Sequence, residues 1–310
     1  MFKKKGALFT LCIVLIFTLV VAAGCGQDSV EQDASEGNEN EGLNIVTSLS
    51  ILSDLVENIL GDRGTVEFLI PIGEEPEDYE LLPSDMQKIS DADLFILNGF
   101  HLEEGIEANI GNVSDTKIIH AIDGVTPIPL VGEDTPDPHA WLDIQLIADY
   151  YVENILTALI ELDPEGEEHY RENAAAYKVE LQKLDAWIKE QVQQIPEKNR
   201  IIVISENAMK YYGEAYGFHT EGIWELNSHE EGTPQQISRI VELAIEKELP
   251  ALFVETTVDS RYMNTVSNEA DIPIAGELYT DAVGLPGSGA ETYIDMMKHN
   301  TDTLLKGLSK

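Results

Sequence analysis

The sequence predicts an α/β protein: two parallel-sheet αβ lobes joined by a single long helix. Three observations carry that expectation. Between Leu43 and Leu162, short apolar runs alternate with stretches of helical spacing, and from Arg200 onward the same alternation restarts. Between the two blocks, Tyr170, Ala174, Tyr177, Leu181, Leu184, Ile188 and Val192 recur at steps of three and four, which draws one continuous helical stripe. Strand–helix–strand order repeated on both sides of a helix is the grammar of parallel sheets covered by helices.

Residues 1–24 read as an address. Lys3, Lys4 and Lys5 are followed by an apolar run from Ala7 to Val21 and then by Ala22-Ala23-Gly24-Cys25, the pattern of a secretory signal and not of a membrane-spanning anchor. Small residues before a cysteine look like a bacterial lipobox, with Ala22 where leucine is usual, so Cys25 is expected to be the lipidated first residue. Residues 25–42, rich in Asp, Glu, Ser, Asn and Gly, read as a disordered acidic tether. One acyl chain holds weakly, and bacterial lipoproteins carry several. The expected location is therefore the extracytoplasmic face of the cell membrane, held by lipid.

The first lobe is assigned to residues 43–162. Its strands are 43–47 (LNIVT), 65–70 (TVEFLI), 92–98 (ADLFILN) and 117–120. Its helices fall at 50–60, 83–90, roughly 103–110 and 144–162. The linking segment is 163–196. Asp163-Pro164 is a helix start signal and Pro196 a stop. A helix from about Pro164 to Ile195 would be roughly 48 Å long. The second lobe, 197–310, has strands at 200–205 (RIIVIS), 222–226, 251–255 (ALFVE) and 272–276, with helices at 208–216, from Thr233-Pro234, at 260–269 and at 290–308.

Composition narrows the partners. The formal charge is −38, and loss of the three leader lysines lowers it to −41. Nucleic acid and anionic lipid surfaces are poor partners for such a chain. The two cysteines are Cys12 and Cys25. Processing removes one and acylates the other, so disulfides and thiolate metal sites are excluded.

In parallel sheets ligands bind beyond the carboxyl ends of the strands. The loops leaving those ends offer Glu77, His139, Glu206 and Asp281. Taken singly each has an ordinary explanation, and no pair has a tight local metal spacing. The surrounding motifs change this: EPEDYE (75–80), SDADLFILNG (90–99), DPHAWLD (137–143), SENAMKYYGEAYG (205–217), WELNSHEEGTPQQI (224–237), FVET (253–256) and ELYTDAVG (277–284). Over 43–310 the chain resembles the metal-binding lipoproteins of bacterial ABC importers for manganese, zinc or iron. The resemblance implies two αβ lobes joined by one rigid helix, with the metal in the cleft between them. It also implies a permease partner, a monomeric binding protein with no enzymatic activity, and ligands at Glu77, His139, Glu206 and Asp281.

One departure bears on the metal. The family usually has histidine at the first position, where this chain has Glu77. One imidazole and three carboxylates make a hard site. Zinc favours nitrogen and sulfur, whereas manganese and ferrous iron accept oxygen-rich sites. Manganese is therefore the expected cargo, with zinc or iron as alternatives. His101, just past the strand end at Asn98-Gly99, is a second candidate for a ligand or a supporting group. His229 is expected to be exposed or to stand behind the ligands, and His120, His169, His219 and His299 show no convergent pattern. Trp141 and Asp143 are expected to hold the His139 loop. A metal-dependent hydrolase is disfavoured because no nucleophile elbow, phosphate loop or zincin motif occurs. A surface adhesin that has lost tight metal binding is kept open by Glu77. A chelate-binding protein would need basic or aromatic groups facing the cleft, and this sequence supplies mainly acids.

Overall fold

Four parallel strands form the first sheet of the computed structural model, which describes residues 42–111, 115–226 and 232–310. They are β1 (Leu43–Thr47), β2 (Gly64–Phe68), β3 (Leu94–Leu97) and β4 (Lys117–His120), in the spatial order β2-β1-β3-β4. Ile45 lies opposite Val66 on one side and Leu94 on the other. Both faces of β1 and β3 are covered, which is why LNIVT and LFIL read as nearly unbroken apolar runs. The connecting helices are α1 (Ser50–Leu60), α2 (Pro83–Asp91) and α3 (Glu104–Ile110). Cys25 and His229 lie outside the described residues.

The helix expected at 144–162 is not uniform. A helical turn at Ile144–Leu146 is followed by a π-helical turn at Ile147–Tyr151, and only then by α4 (Val152–Leu162). The extra residue in that turn rotates the side chains beyond it about the helix axis. At the end of that turn the Tyr151 hydroxyl, on a fully buried side chain, donates to Asn98 Oδ1 at 2.8 Å.

The long helix α5 spans Glu167–Val192, after a 3-10 turn at Pro164–Gly166. At 26 residues it is about 39 Å long, shorter than the sequence expectation because both ends tighten into turns. Its seven buried residues are those of the stripe. Glu167 and Glu168 stand in its first turn and Lys189 in its last, both favourable to the helix dipole. It is not a free strut between lobes. It packs against α1 and α4 from the first half of the chain and against α9 (Tyr293–Leu308) from the second.

The second half contains β5 (Ile201–Glu206), α6 (Lys210–Tyr216), β6 (His219–Trp224), α7 (Pro234–Glu246), β7 (Leu252–Glu255), α8 (Arg261–Ala270) and β8 (Ile274–Leu278). Here the hydrogen bonding departs from one continuous sheet. β5 pairs with β6 and β7 with β8, both in parallel, as two separate ladders. At the end of β5, the backbone N–H groups of Ser205 and Glu206 donate to the buried Glu255 carboxylate, at 3.1 and 2.7 Å. A side chain thus takes the place that a strand carbonyl would fill.

Two apolar cores result. The larger runs from β1 and β3 through the α5 stripe to Tyr293, Met296 and Leu304 of α9, and it takes Ile202 and Ile204 from β5. The smaller gathers Val203, Trp224, Ile240, Leu252, Met263 and Val266. Alternate residues of β5 therefore feed different cores, as the two-residue period of a strand requires. Glu206 sits at the carboxyl end of that shared strand.

Candidate metal centre

Four loops at strand carboxyl ends converge. Glu77 lies in the irregular stretch between β2 and α2, His139 just before the 3-10 turn Ala140–Leu142, Glu206 at the end of β5, and Asp281 beyond β8. His139 is wholly buried, while Glu206 and Asp281 are 4% and 6% exposed. Glu77 is half-buried as a residue, but its Oε1 is shut off from solvent. One donor atom each from Glu77, His139 and Glu206 lie within 4.8 Å of one another. Asp281 adjoins this group through His139. Its Oδ1 stands 3.3 Å from Nε2, the same distance as Glu206 Oε1.

The unused atoms are the informative ones. Among the described residues, Glu77 Oε1, His139 Nε2, Glu206 Oε1 and Asp281 Oδ1 are all buried and have no hydrogen-bond partner. Buried polar atoms are nearly always paired, so three such atoms grouped within 4.8 Å, with Asp281 Oδ1 3.3 Å from His139 Nε2, have the make-up of a cradle for a cation. The opposite edges of Asp281 and His139 are well held. Asp281 Oδ2 accepts from the hydroxyls of Thr257 and Thr280 at 2.7 and 2.8 Å. Asp137 Oδ1 accepts from the His139 backbone N–H at 2.9 Å and lies 2.8 Å from Nδ1. A carboxylate on one ring nitrogen places the proton there and turns the lone pair of the other toward a metal.

Further supports surround the His139 turn. Trp141 Nε1 donates to the Thr280 carbonyl at 2.6 Å, and its ring meets that of His139 edge-on with centroids 5.1 Å apart. Asn98 Nδ2 donates to the Pro138 carbonyl at 3.1 Å. Asp143 caps the next helical turn through Gln145 N–H at 2.8 Å. Glycine is required at 222, because a Cβ there would sit 2.5 Å from Asn207 N and 2.4 Å from the Trp224 carbonyl. That close approach packs β6 against the chain leaving Glu206.

The charges are strongly interdependent. Burial pushes the Glu77 carboxyl well above its usual range, and the like charges of Glu206 and Asp281 push the same way. Burial raises Glu206 to about 7 even though His139 pulls it down. Burial alone would depress the His139 imidazole. Asp137, Asp281 and Glu206 outweigh it and hold the ring well above its usual value. Asp281 is also pushed up by burial, but His139 and the two threonine hydroxyls bring it below the normal carboxylate range. Without metal, the cluster therefore retains protons that a cation must displace.

His101, the alternative donor expected from the sequence, stands apart from the group. It is exposed, in a turn where Gly99, Phe100 and His101 all have positive φ, and it does not join the donor group. His120 pairs with Glu107 and His219 with Glu221. His169 bonds Asn173, and His299 the Glu277 carbonyl. The supporting residues Asp137, Lys210, Glu255, Thr257 and Thr280 were missed. Asp137 was within reach, as an acid two residues before a candidate ligand; the others become neighbours only in three dimensions.

Buried, hydrogen-bond-starved oxygens around one imidazole have the chemistry of a metal-ion receptor, and the family to which the chain is similar is one of metal-binding proteins. The family described as ZnuA, the periplasmic component A of the zinc-uptake complex, matches residues 45–307. The chain belongs to that family. It is 54% identical over 306 residues to the manganese-binding lipoprotein MntA of Halalkalibacterium halodurans, covering 99% of this chain and all of that protein. It is 38% identical over 323 residues to the manganese ABC transporter substrate-binding lipoprotein PsaA of Streptococcus anginosus, with 99% and 100% coverage. Among solved structures, the periplasmic zinc binding protein TroA from Treponema pallidum superposes with TM-score 0.82 at 27% identity, covering 87% of this chain and 100% of that one. The Mn-bound periplasmic metal binding protein from Candidatus Liberibacter asiaticus gives 0.78 at 29% identity, with 85% and 98% coverage. The ZnuA family consists of solute-binding proteins, not enzymes, and its two-lobed α/β architecture is that of this chain.

Proposed function

We propose that this protein captures a divalent transition-metal ion, manganese foremost, between its two lobes and hands it to an ABC permease for import. The single observation that carries this reading is the convergence of four buried, unpartnered donor atoms from Glu77, His139, Glu206 and Asp281. The lobes are 43–162 and 197–310, with 163–196 as the link. The protein acts as a monomer tethered through lipidated Cys25 to the extracytoplasmic face of the membrane.

Manganese is favoured over zinc by the donor set. Three carboxylates and one neutral imidazole offer mainly hard oxygen, and bidentate carboxylates raise the coordination number beyond the four that structural zinc prefers. A site charge of −3 becomes −1 with the ion bound. The names of the MntA and PsaA relatives support the same ion. The intact donor set speaks against an adhesin that has abandoned metal. Isothermal titration with Mn²⁺ and Zn²⁺ tests the reading: one saturable site is expected, lost in His139→Ala and in Asp281→Ala. Unchanged affinity in both variants would sink it.

A further inference from the structure

Behind His139, away from the donor cluster, the two halves of the chain are tied together by charged and polar contacts. Lys210 Nζ lies 3.0 Å from Asp137 Oδ2 and 2.6 Å from Glu225 Oε2. Glu225 Oε2 also accepts the Val131 N–H at 2.9 Å. The neighbouring Tyr211 hydroxyl donates to the Asp137 carbonyl at 2.8 Å and accepts from the Ile128 N–H at 3.1 Å. Residues 128, 131 and 137 precede α5, whereas Lys210, Tyr211 and Glu225 follow it. α6 and the end of β6 therefore grip the segment that carries His139 at three points.

We infer that Lys210 is a positioning residue for the cargo ion: with Glu225 it forms a clasp across the two halves that fixes Asp137, and through Asp137 the His139 ring, so that the clasp slows the escape of the metal. This rests on the metal-binding reading above. The argument is one of shared oxygens. Asp137 is fully buried and divides its carboxylate, Oδ1 to His139 and Oδ2 to Lys210. Without Lys210, Oδ2 would be a buried anionic oxygen with no donor, and its relief is to turn toward water. His139 is bound to the same carboxylate at both its backbone N–H and Nδ1, so the ring would turn with it. A buried ion pair is also a poor source of net stability, because two charges must be stripped of water to make it. What it supplies here is geometry and a tie that must break if the two halves part.

The experiment measures Mn²⁺ release from the protein by stopped-flow competition with a chelator. Lys210→Met is expected to raise the off-rate about tenfold or more, the scale seen when the partner of a ligating histidine is disturbed, with the on-rate nearly unchanged. In an Asp137→Asn background the same substitution should change the off-rate by less than about twofold, because the effect travels through that carboxylate. Glu225→Gln, which keeps the acceptor for Val131, should move the off-rate in the same direction by less, and serves if Lys210→Met folds poorly. Amide exchange without metal reads the clasp directly: Ile128 and Val131 should exchange about tenfold faster in the variant. An off-rate unmoved while the melting temperature falls would reduce Lys210 to a structural residue and overturn the inference. So would equal effects in both backgrounds, or unaltered amide exchange. Absence of saturable Mn²⁺ uptake by the unaltered protein would defeat the metal reading instead, leaving amide exchange to decide the clasp.

Discussion

Glu206→Gln should make the metal-free protein more stable while disabling its site. Glu206 is 4% exposed, and its carboxyl is pushed up to about 7 from 4.5, first by burial and then by the charges of Asp281 and Asp137, against the pull of His139. A carboxyl raised on folding holds its proton more tightly in the native state than in the unfolded chain. Native stability therefore falls as pH rises from 4.5 to about 7, and the loss is complete above that. At roughly 1.4 kcal/mol per pH unit, this amounts to about 3 kcal/mol. Glutamine keeps the shape without the charge and escapes the loss. The figure is an upper one, because His139 gives up one of its two carboxylate neighbours at Nε2. For a chain of this size each kcal/mol moves the melting temperature by about 2 °C, so the metal-free variant should melt up to about 6 °C higher at pH 8.5. At pH 5 the difference should shrink to about 1 kcal/mol or less, roughly 2 °C or less. With excess Mn²⁺ the order should invert, because only the unaltered protein gains ligand stabilisation. Scanning calorimetry at the two pH values, with and without metal, reads all four conditions. A metal-free variant melting below the unaltered protein at pH 8.5 would refute the claim that this carboxylate is held in the fold at the expense of stability.

Four other outcomes are expected. Metal affinity should rise from pH 5 to pH 8: His139 and Glu77 are both held above their usual ranges and release protons when the ion enters; titration in buffers of different ionisation heat counts those protons, and affinity independent of pH would contradict the proton-retaining cluster. Glu77→His exchanges an oxygen donor for a nitrogen and should raise the zinc-to-manganese affinity ratio by about tenfold or more in competition titrations; a ratio left in place would take Glu77 out of the coordination shell. Trp141→Phe leaves the Thr280 carbonyl without its donor, which should cost about 1–3 kcal/mol, visible as a lower denaturant midpoint at unchanged slope. Small-angle scattering should show little change in radius of gyration on loading, because a core continuous through α5 resists wide hinge bending; a large contraction would be the wrong result.

Much of the fold could be read from one-dimensional pattern. Strands such as LFIL and IIVISE declare themselves by apolar runs bounded by turn residues. The α5 stripe predicts its own buried face because an amphipathic helix carries its environment in its period. The misses have physical causes. The π-helical turn at Ile147–Tyr151 obeys no periodicity distinct from that of an α-helix over so few residues. The split of the second sheet goes with a long-range contact no local pattern announces, the Glu255 carboxylate accepting from two amides about fifty residues earlier. Of the candidate site, the four proposed donors could be located as residues at strand ends, but their grouping rests on family resemblance. Nothing in local spacing links residues 77, 139, 206 and 281. The supports are harder still. Lys210 reads as a surface cation on a short helix, and it becomes a buried partner of Asp137 only when the halves are assembled.

The division of β5 between two apolar cores has a consequence for how the molecule comes apart. Ile202 and Ile204 belong to the core that spans α5, and Val203 to the outer core under α7 and α8. Such separate clusters are natural cooperative units, each able to open at its own free energy. Were the smaller, outer unit to open on its own, it would loosen β6, β7 and α8 while the α5 core stays intact. Glu206 stands on the seam. An ion gripped there and at His139 would pin the outer unit to the inner one, so emptying the site would turn one unfolding event into two. The cargo would then govern which parts of the protein a protease can reach between one delivery and the next.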